Sequence, residues 1–195
     1  MFANKLPESV KIDGAEYRIN TDFRAGIQFE QLMRNETPDW DAVLGLYYPD
    51  GCPENLESAL EQILWFYRCG KEERSGRGSG VKARAYDLEH DFSYIYAAFL
   101  EQYRIDLYEI EHLHWWKFKA LFEGLTGDCE ICKIMEYRTI DLKDMDKERK
   151  KFYQKMKRLY ALPTRTEEEK MRDDKISQIL MNGGDIAGAI QRGEL

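Results

Sequence analysis

Two histidines and two tryptophans lie close together in IEHLHWWKFKALFEGL, residues 110–125. Histidine binds metals and transfers protons near neutral pH, so His112 and His114 are the first candidates for chemistry. On a helix, however, side chains two residues apart point ~200° away from each other and cannot bind one metal ion. No serine or cysteine at a recognisable spacing accompanies them as a nucleophile. We therefore interpret His114 as a core histidine that donates to a backbone carbonyl or a tyrosine, and Trp115 and Trp116 as core residues.

Cys129 and Cys132 form the CxxC pair of the chain, a spacing found in zinc and redox sites. A structural zinc site needs four ligands, and neither Cys52 nor Cys69 stands at a characteristic spacing from the pair. On a helix both sulfurs would lie on one face with Met135, which favours core packing. Metal binding and redox chemistry remain as alternatives.

The glycine-rich stretch GKEERSGRGSG, residues 70–80, has no apolar residue. It lacks the Lys-Ser/Thr ending of a phosphate-binding loop, and no apolar strand precedes it. We interpret residues 70–85 as a flexible loop that could order against an acidic partner. The basic residues available for such a contact are Arg74, Arg77, Lys82 and Arg84.

Carboxylate pairs also occur, at Glu109 with Glu111 and at Asp144 with Asp146. No apolar surroundings are evident that would raise one pKa of either pair, so we interpret both as solvated surface. We expect no enzymatic activity and no cofactor.

The composition indicates a packed, acidic protein of 195 residues, with 43% hydrophobic residues and a net charge of −7. Nucleic-acid binding would need a segregated basic surface, and basic residues are concentrated only within 65–84 and 143–162. The N-terminus does not resemble a signal peptide, and no apolar run is long enough for a membrane span. We expect a soluble intracellular protein with reduced cysteines, without nucleic-acid or membrane partners.

Apolar periodicity predicts a mostly α fold, a helical bundle of about six to seven helices with a small N-terminal β-hairpin. The hairpin, 9–20, turns at Asp13-Gly14, and Asn20 or Thr21 is expected to cap the first helix, 22–35. Further helices are predicted over 39–48, 54–68, 88–103, 110–125, 129–138 and 144–162. We expect one domain over 1–162, followed by a helix and frayed tail over 163–195.

Four segments, in this order, carry a family resemblance: VKIDGAEYRINTDFR, YDLEHDFSYIYAAFLEQYRIDL, HLHWWKFKALFEGL and KIMEYRTIDL. Over about residues 7–162 the chain resembles the bacteriophage gene product fifteen family of siphophages and prophages. The resemblance implies a tail assembly protein, encoded near the tape-measure gene and chaperone-like, and it brings no catalytic residues. The first hypothesis is therefore a chaperone in the cytoplasm of the infected or lysogenic host, which binds the tape-measure protein and other tail proteins.

The basic helix at 144–162 is the candidate partner-binding element under this hypothesis. It has three interpretations from its residues: a solvated face over the core, a partner-binding helix, or a membrane or nucleic-acid contact. For the partner-binding interpretation we predict contacts through the following residues: Phe152, Lys155, Met156, Lys157 and Tyr160. The second hypothesis is a structural tail component, of terminator or connector type, in which the chain is a homo-oligomer that forms a ring.

Overall fold

The computed structural model describes residues 5–34, 37–71 and 84–163. Over these ranges the chain forms one two-stranded antiparallel sheet and seven helices, so the predicted mostly α fold with an N-terminal hairpin is confirmed. The predicted loop at 70–85 and the predicted helix and tail at 163–195 lie almost wholly outside the described residues. No helix of the described ranges is long and apolar enough to cross a membrane.

The elements follow the chain in a simple order. The strands are β1 (Ser9–Ile12) and β2 (Ala15–Arg18). The helices are α1 (Phe23–Leu32), α2 (Trp40–Tyr47), α3 (Leu56–Tyr67), α4 (Phe92–Tyr103), α5 (Trp115–Glu123), α6 (Glu130–Thr139) and α7 (Lys147–Leu159).

The hairpin turns where the sequence predicted. Asp13 and Gly14 both have positive φ, 50° and 83°, which is the backbone conformation that a tight two-residue turn needs. The register pairs Val10 with Tyr17. Val10 and Ile12 of β1 point to the core and alternate with less buried residues, whereas β2 has no buried residue.

Short polar side chains begin four of the helices by accepting backbone N–H groups of the first turn. These caps are Asp22 for α1, Asp39 for α2, Asn55 for α3 and Asp146 for α7. The prediction that Asn20 or Thr21 caps the first helix was wrong. The Asn20 side chain instead donates to the carbonyl of Leu46, and Thr21 bonds to His112.

The helix predicted over 110–125 begins only at Trp115. The residues before it pair with the chain just before α1, where Asp22 and His114 form an isolated antiparallel bridge. Phe23 donates its backbone N–H to Leu113 at 2.8 Å, and Trp115 donates to Thr21 at 2.6 Å. These long-range bonds compete with helix formation, so the two histidines precede the helix.

The chain divides into two compact units. The first contains the described residues up to 71 together with His112–Lys119, and its core includes Phe23, Tyr47, Phe66 and Trp115. The second contains 84–111 and 120–163, and its core includes Leu88, Ile95, Phe99, Ile131 and Ile134. The expectation of one domain over 1–162 stays a prediction.

Candidate partner-binding surface

The histidine and tryptophan stretch belongs to the core of the first unit. His114 is 6% exposed, and its Nε2 lies 3.0 Å from the carbonyl oxygen of Pro7. Because a carbonyl only accepts, Nε2 carries the proton, and Nδ1 accepts from the backbone N–H of Trp116. Burial lowers the pKa of His114 below its ordinary value of 6.5. The prediction of a core histidine that donates to a backbone carbonyl is confirmed.

Both tryptophan side chains donate hydrogen bonds to backbone carbonyls at the C-terminal end of α3. Trp115 Nε1 donates to the carbonyl of Tyr67 and Trp116 Nε1 donates to that of Phe66, each at 2.7 Å. His112 is exposed, and its Nε2 lies 3.0 Å from the Thr21 hydroxyl. The two histidines therefore have separate partners. Among the described residues there is no group of three or more His, Cys, Asp or Glu side chains that could hold a metal ion.

The two cysteines of the CxxC pair stand at the start of α6. Cys129 is the residue before the helix, Cys132 lies three residues further on, and both are half-buried. Burial, together with a hydrogen bond to Cys129, raises the pKa of the Cys132 thiol to about 11. A raised pKa disfavours the thiolate that a nucleophile needs. Half-burial and the raised pKa therefore favour packing over the redox alternative, and the described residues offer no group of three ligands for the metal alternative.

A surface cleft of about 450 Å³ lies where the hairpin chain leads into α1. Its lining residues are Glu8, Arg18, Ile19, Asn20, Thr21, Pro49 and His112. Arg18 binds the Asp50 carboxylate through two nitrogens, at 2.7 and 2.9 Å. The polar groups of Asn20 and Thr21 are also engaged, as described above. These polar side chains of the cleft therefore stabilise the fold, and we do not propose the cleft as the functional site.

The helix α7 stands out because none of its residues is buried. Between Lys147 and Leu159 the sequence holds seven basic residues and one acid, Glu148. Two large apolar side chains of this helix are exposed: Phe152 by 49% and Leu159 by 65%. A soluble surface usually scatters such residues singly, and their coincidence on one charged helix indicates a contact surface.

One side of α7 rests on α6 through aromatic contacts. The ring of Tyr137 stacks on Tyr160 with centroids 5.8 Å apart, and it also contacts Phe152 and Tyr153 at 6.3 and 6.2 Å. Lys157 Nζ donates to the carbonyl of Arg138 at 3.2 Å. These contacts fix which side of α7 remains available.

The five predicted contact residues consequently fall into two groups. Phe152 and Lys155 are exposed, whereas Met156, Lys157 and Tyr160 are half-buried on the side of α7 that faces α6. The Tyr160 hydroxyl donates to Glu130 at 3.1 Å, and this bond raises the pKa of Tyr160. The accessible surface also includes three residues that the sequence prediction did not name: Lys151, Arg158 and Leu159. We call Lys151, Phe152, Lys155, Arg158 and Leu159 the outer face of α7.

Arg138 fixes the end of α7 from inside the second unit. It is 7% exposed and donates to the carbonyls of Tyr160 and Ala85, at 2.6 and 3.1 Å. Its guanidinium also binds both carboxylate oxygens of the fully buried Asp91, at 2.5 and 2.9 Å. Sequence reasoning missed this residue, although Arg138 stands at helical spacing from the apolar Ile131 and Ile134.

The described chain is thus a mostly helical protein with a hairpin and an exposed basic helix. A family model described as Bacteriophage Gp15 protein matches residues 2–162. The chain belongs to this bacteriophage Gp15 family, which confirms the resemblance drawn from its four segments. Searches of curated proteins and of solved structures each found no match.

Proposed function

We propose that this phage protein is a cytoplasmic tail-assembly chaperone that binds the tape-measure protein, and that it is not an enzyme. The observation that carries the proposal is the outer face of α7, where exposed apolar residues lie among cations on a helix without buried residues. Membership of the bacteriophage Gp15 family supports a role in phage biology, and the resemblance drawn from the sequence implies that this role lies in tail assembly. A chaperone must release its client, and modest apolar patches with charged rims suit repeated weak contacts better than one deep pocket.

Co-expression with the neighbouring tape-measure gene tests the proposal. We expect a soluble complex that contains many copies of this chain per tape-measure chain, measured by pull-down and stoichiometry. Tape-measure protein that is equally soluble without this chain would contradict the chaperone role.

A pair of matched variants tests the surface. Phe152→Ser combined with Lys155→Glu should lower recovery of the tape-measure protein by about tenfold or more, since central contact residues carry most of the binding energy. Tyr108→Ser combined with Lys117→Glu is the control, because Tyr108 is 68% exposed and Lys117 is exposed on another helix. Equal recovery with both variants would place the client elsewhere on the chain.

A structural tail component is the second candidate, favoured by a second exposed apolar and charged helix face, on α3. Leu56 and Trp65 are 44% and 39% exposed on this helix. A ring requires two different surfaces on each copy, and α3 and α7 would supply them. Mass spectrometry of purified particles separates the candidates, because abundant copies of this chain in finished particles would favour the structural role.

A further inference from the structure

Seven large apolar side chains are exposed among the described residues, and four of them lie on α3 and α7. Leu56 and Trp65 belong to α3, and Phe152 and Leu159 belong to α7. The two helices differ in the charges beside these residues, which are acidic on α3 and basic on α7. Because the charges are complementary, the exposed face of α3 on one copy is a candidate binding surface for the exposed face of α7 on another copy.

On α3 the exposed face is a row of residues spaced four apart. Glu57, Glu61 and Trp65 are all exposed and lie one above the other on the helix. The opposite side of α3 supplies core residues: Ala59, Leu60, Ile63 and Phe66. The row is therefore held in place by a buried face and is open to a partner.

On α7 a row with the same spacing carries the opposite charge. Lys151, Lys155 and Leu159 are all exposed and also lie four residues apart. Both rows run from two charged residues to one large apolar residue in the N-to-C direction. The match therefore covers spacing, order and sign.

We propose that α7 of one copy of this chain packs in parallel along α3 of a second copy. The lysines of one row then face the glutamates of the other, and Leu159 packs on Trp65. Rows spaced four residues apart on two helices align when the axes cross at about −50°, the commonest crossing class in globular proteins. The proposal concerns the chain alone and does not rest on the proposed function.

The remaining exposed apolar pair fits the same arrangement. Leu56 directly precedes Glu57, and Phe152 directly follows Lys151. Consider two contact residues that face each other across parallel helices. The residue that precedes the contact residue on one helix lies on the same side of the interface as the residue that follows the contact residue on the other helix. Leu56 and Phe152 therefore meet beside the paired rows, so all four exposed apolar residues find apolar partners.

Other occupants fit the outer face of α7 less well. A second α7 would bring two strongly basic helices together. The exposed Tyr94 and Leu100 of α4 stand beside one acid, Glu101, and one base, Arg104, so that helix lacks the complementary charge. A nucleic acid would pair with the lysines but would leave the 65% exposed Leu159 without an apolar partner.

The pairing joins two different faces, so each copy can bind one neighbour through α3 and another through α7. Such a heterologous contact produces a closed ring or an open filament. The expected species is therefore a concentration-dependent series rather than a dimer alone.

Sedimentation velocity of the full chain over a concentration series, after nuclease treatment, tests the proposal with two charge-reversed proteins. One carries Lys151→Glu and Lys155→Glu, and the other carries Glu57→Lys and Glu61→Lys. Each alone brings like charges together, so we expect the dissociation constant to rise at least about tenfold. An equimolar mixture should associate again, because each reversed row meets a complementary row on the other protein.

Any of the following results would overturn the proposal: a wild-type chain that stays monomeric at its highest soluble concentration, association that the reversals leave unchanged, or a mixture that remains dissociated. Association that disappears on nuclease treatment would also overturn it and would identify nucleic acid as the bridge. Lys117→Glu combined with Glu101→Lys is the control, because both residues are exposed outside the two rows. Thermal unfolding of each variant shows that the fold is retained, as expected for exposed positions.

Discussion

At the scale of single residues, Gly26 shows how closely the first unit is packed. A Cβ atom at Gly26 would lie 2.3 Å from Cε3 of Trp115, whereas a Cβ atom at Gly45 would have nothing within 4 Å. Both glycines lie inside helices, α1 and α2, where alanine is favoured over glycine by roughly 0.5–1 kcal/mol. Substitution at Gly26 therefore reports mainly on packing, whereas substitution at Gly45 reports on helix propensity alone.

We expect Gly26→Ala to lower the free energy of unfolding by about 1–3 kcal/mol, because the added methyl group must displace a buried indole ring. Gly45→Ala should raise it by roughly 0.5–1 kcal/mol. Urea unfolding of both variants measures the difference. A stabilising effect at both positions would show that Trp115 does not lie against α1.

His114 makes stability depend on pH. Because folding lowers the pKa of His114 below 6.5, the unfolded chain binds this proton more readily than the folded chain. The stabilising contribution is fully present above pH 6.5 and is lost as the pH falls from 6.5 toward the lower pKa of the folded protein. We expect the free energy of unfolding to decrease over that interval, measured by urea unfolding between about pH 8 and 5.

His114→Gln is the control for this pH dependence. A glutamine amide can donate to Pro7 and accept from Trp116, yet it does not titrate. The slope below pH 6.5 should become shallower in this variant. An unchanged slope would assign the pH dependence to other groups.

At the scale of the elements, two arginine–aspartate pairs with similar geometry have very different surroundings. Arg138 and Asp91 join α6 to the start of α4, with side chains 5% and 0% exposed. Arg18 and Asp50 form a two-nitrogen contact at the surface, with side chains 62% and 64% exposed. Burial, rather than hydrogen-bond geometry, should decide the contribution of each pair.

Arg138→Met should lower the free energy of unfolding by about 3–5 kcal/mol, because it leaves the Asp91 carboxylate buried without its ion pair. Arg18→Met, the matched control, should cost no more than about 1 kcal/mol. Chemical denaturation of both variants provides the comparison. Similar losses in the two variants would contradict the role assigned to burial.

The sequence predicted the elements better than their ends. Apolar periodicity and helix-start signals located every helix of the described residues, because most of these helices bury one face. The exception is α7, which has no buried residue but rests its apolar side on α6. Two starting points were missed because other contacts hold the residues before the helix, a distant contact before α5 and a local turn before α4. The histidines before α5 pair with the chain near Asp22, and the predicted start of α4 at residue 88 moved to Phe92 because Asp87 holds residues 89 and 90 in a turn.

The candidate surface was predictable in part for the same reason. Phe152 and Lys155 are exposed, as a partner contact requires, although the Phe152 ring also contacts Tyr137 of α6. The sequence of α7 alone does not predict that Leu159 is exposed. The apolar side of this helix is wider than the area that α6 covers, so some of its apolar residues remain in contact with solvent. Which apolar residues stay exposed depends on the neighbour, and periodicity does not give the position of the neighbour.

At the scale of the whole molecule, the proposed client and the proposed second copy compete for the outer face of α7. Phe152 contributes to both contacts, so a copy bound to its neighbour through α7 cannot bind the tape-measure protein through the same residues. The self-associated protein would then be a reservoir of monomers, and the client would shift the equilibrium toward single copies by binding them. The variant that carries Glu57→Lys and Glu61→Lys leaves α7 unchanged, so it separates self-association from binding of the client, which co-expression measures.

During synthesis of the chain, the first unit lacks part of its core until residues far along the sequence have been translated. Tyr67 ends α3, yet Trp115, which donates to its carbonyl, lies more than forty residues further along the chain. At the usual ~5–20 residues per second of translation, about 2–10 s separate the two residues. During that time α1 and α3 exist without the indole that packs at Gly26 and covers their apolar residues. The nascent chain therefore passes through a stage in which it can itself aggregate, and ribosome-associated folding factors of the host should bind it during that interval.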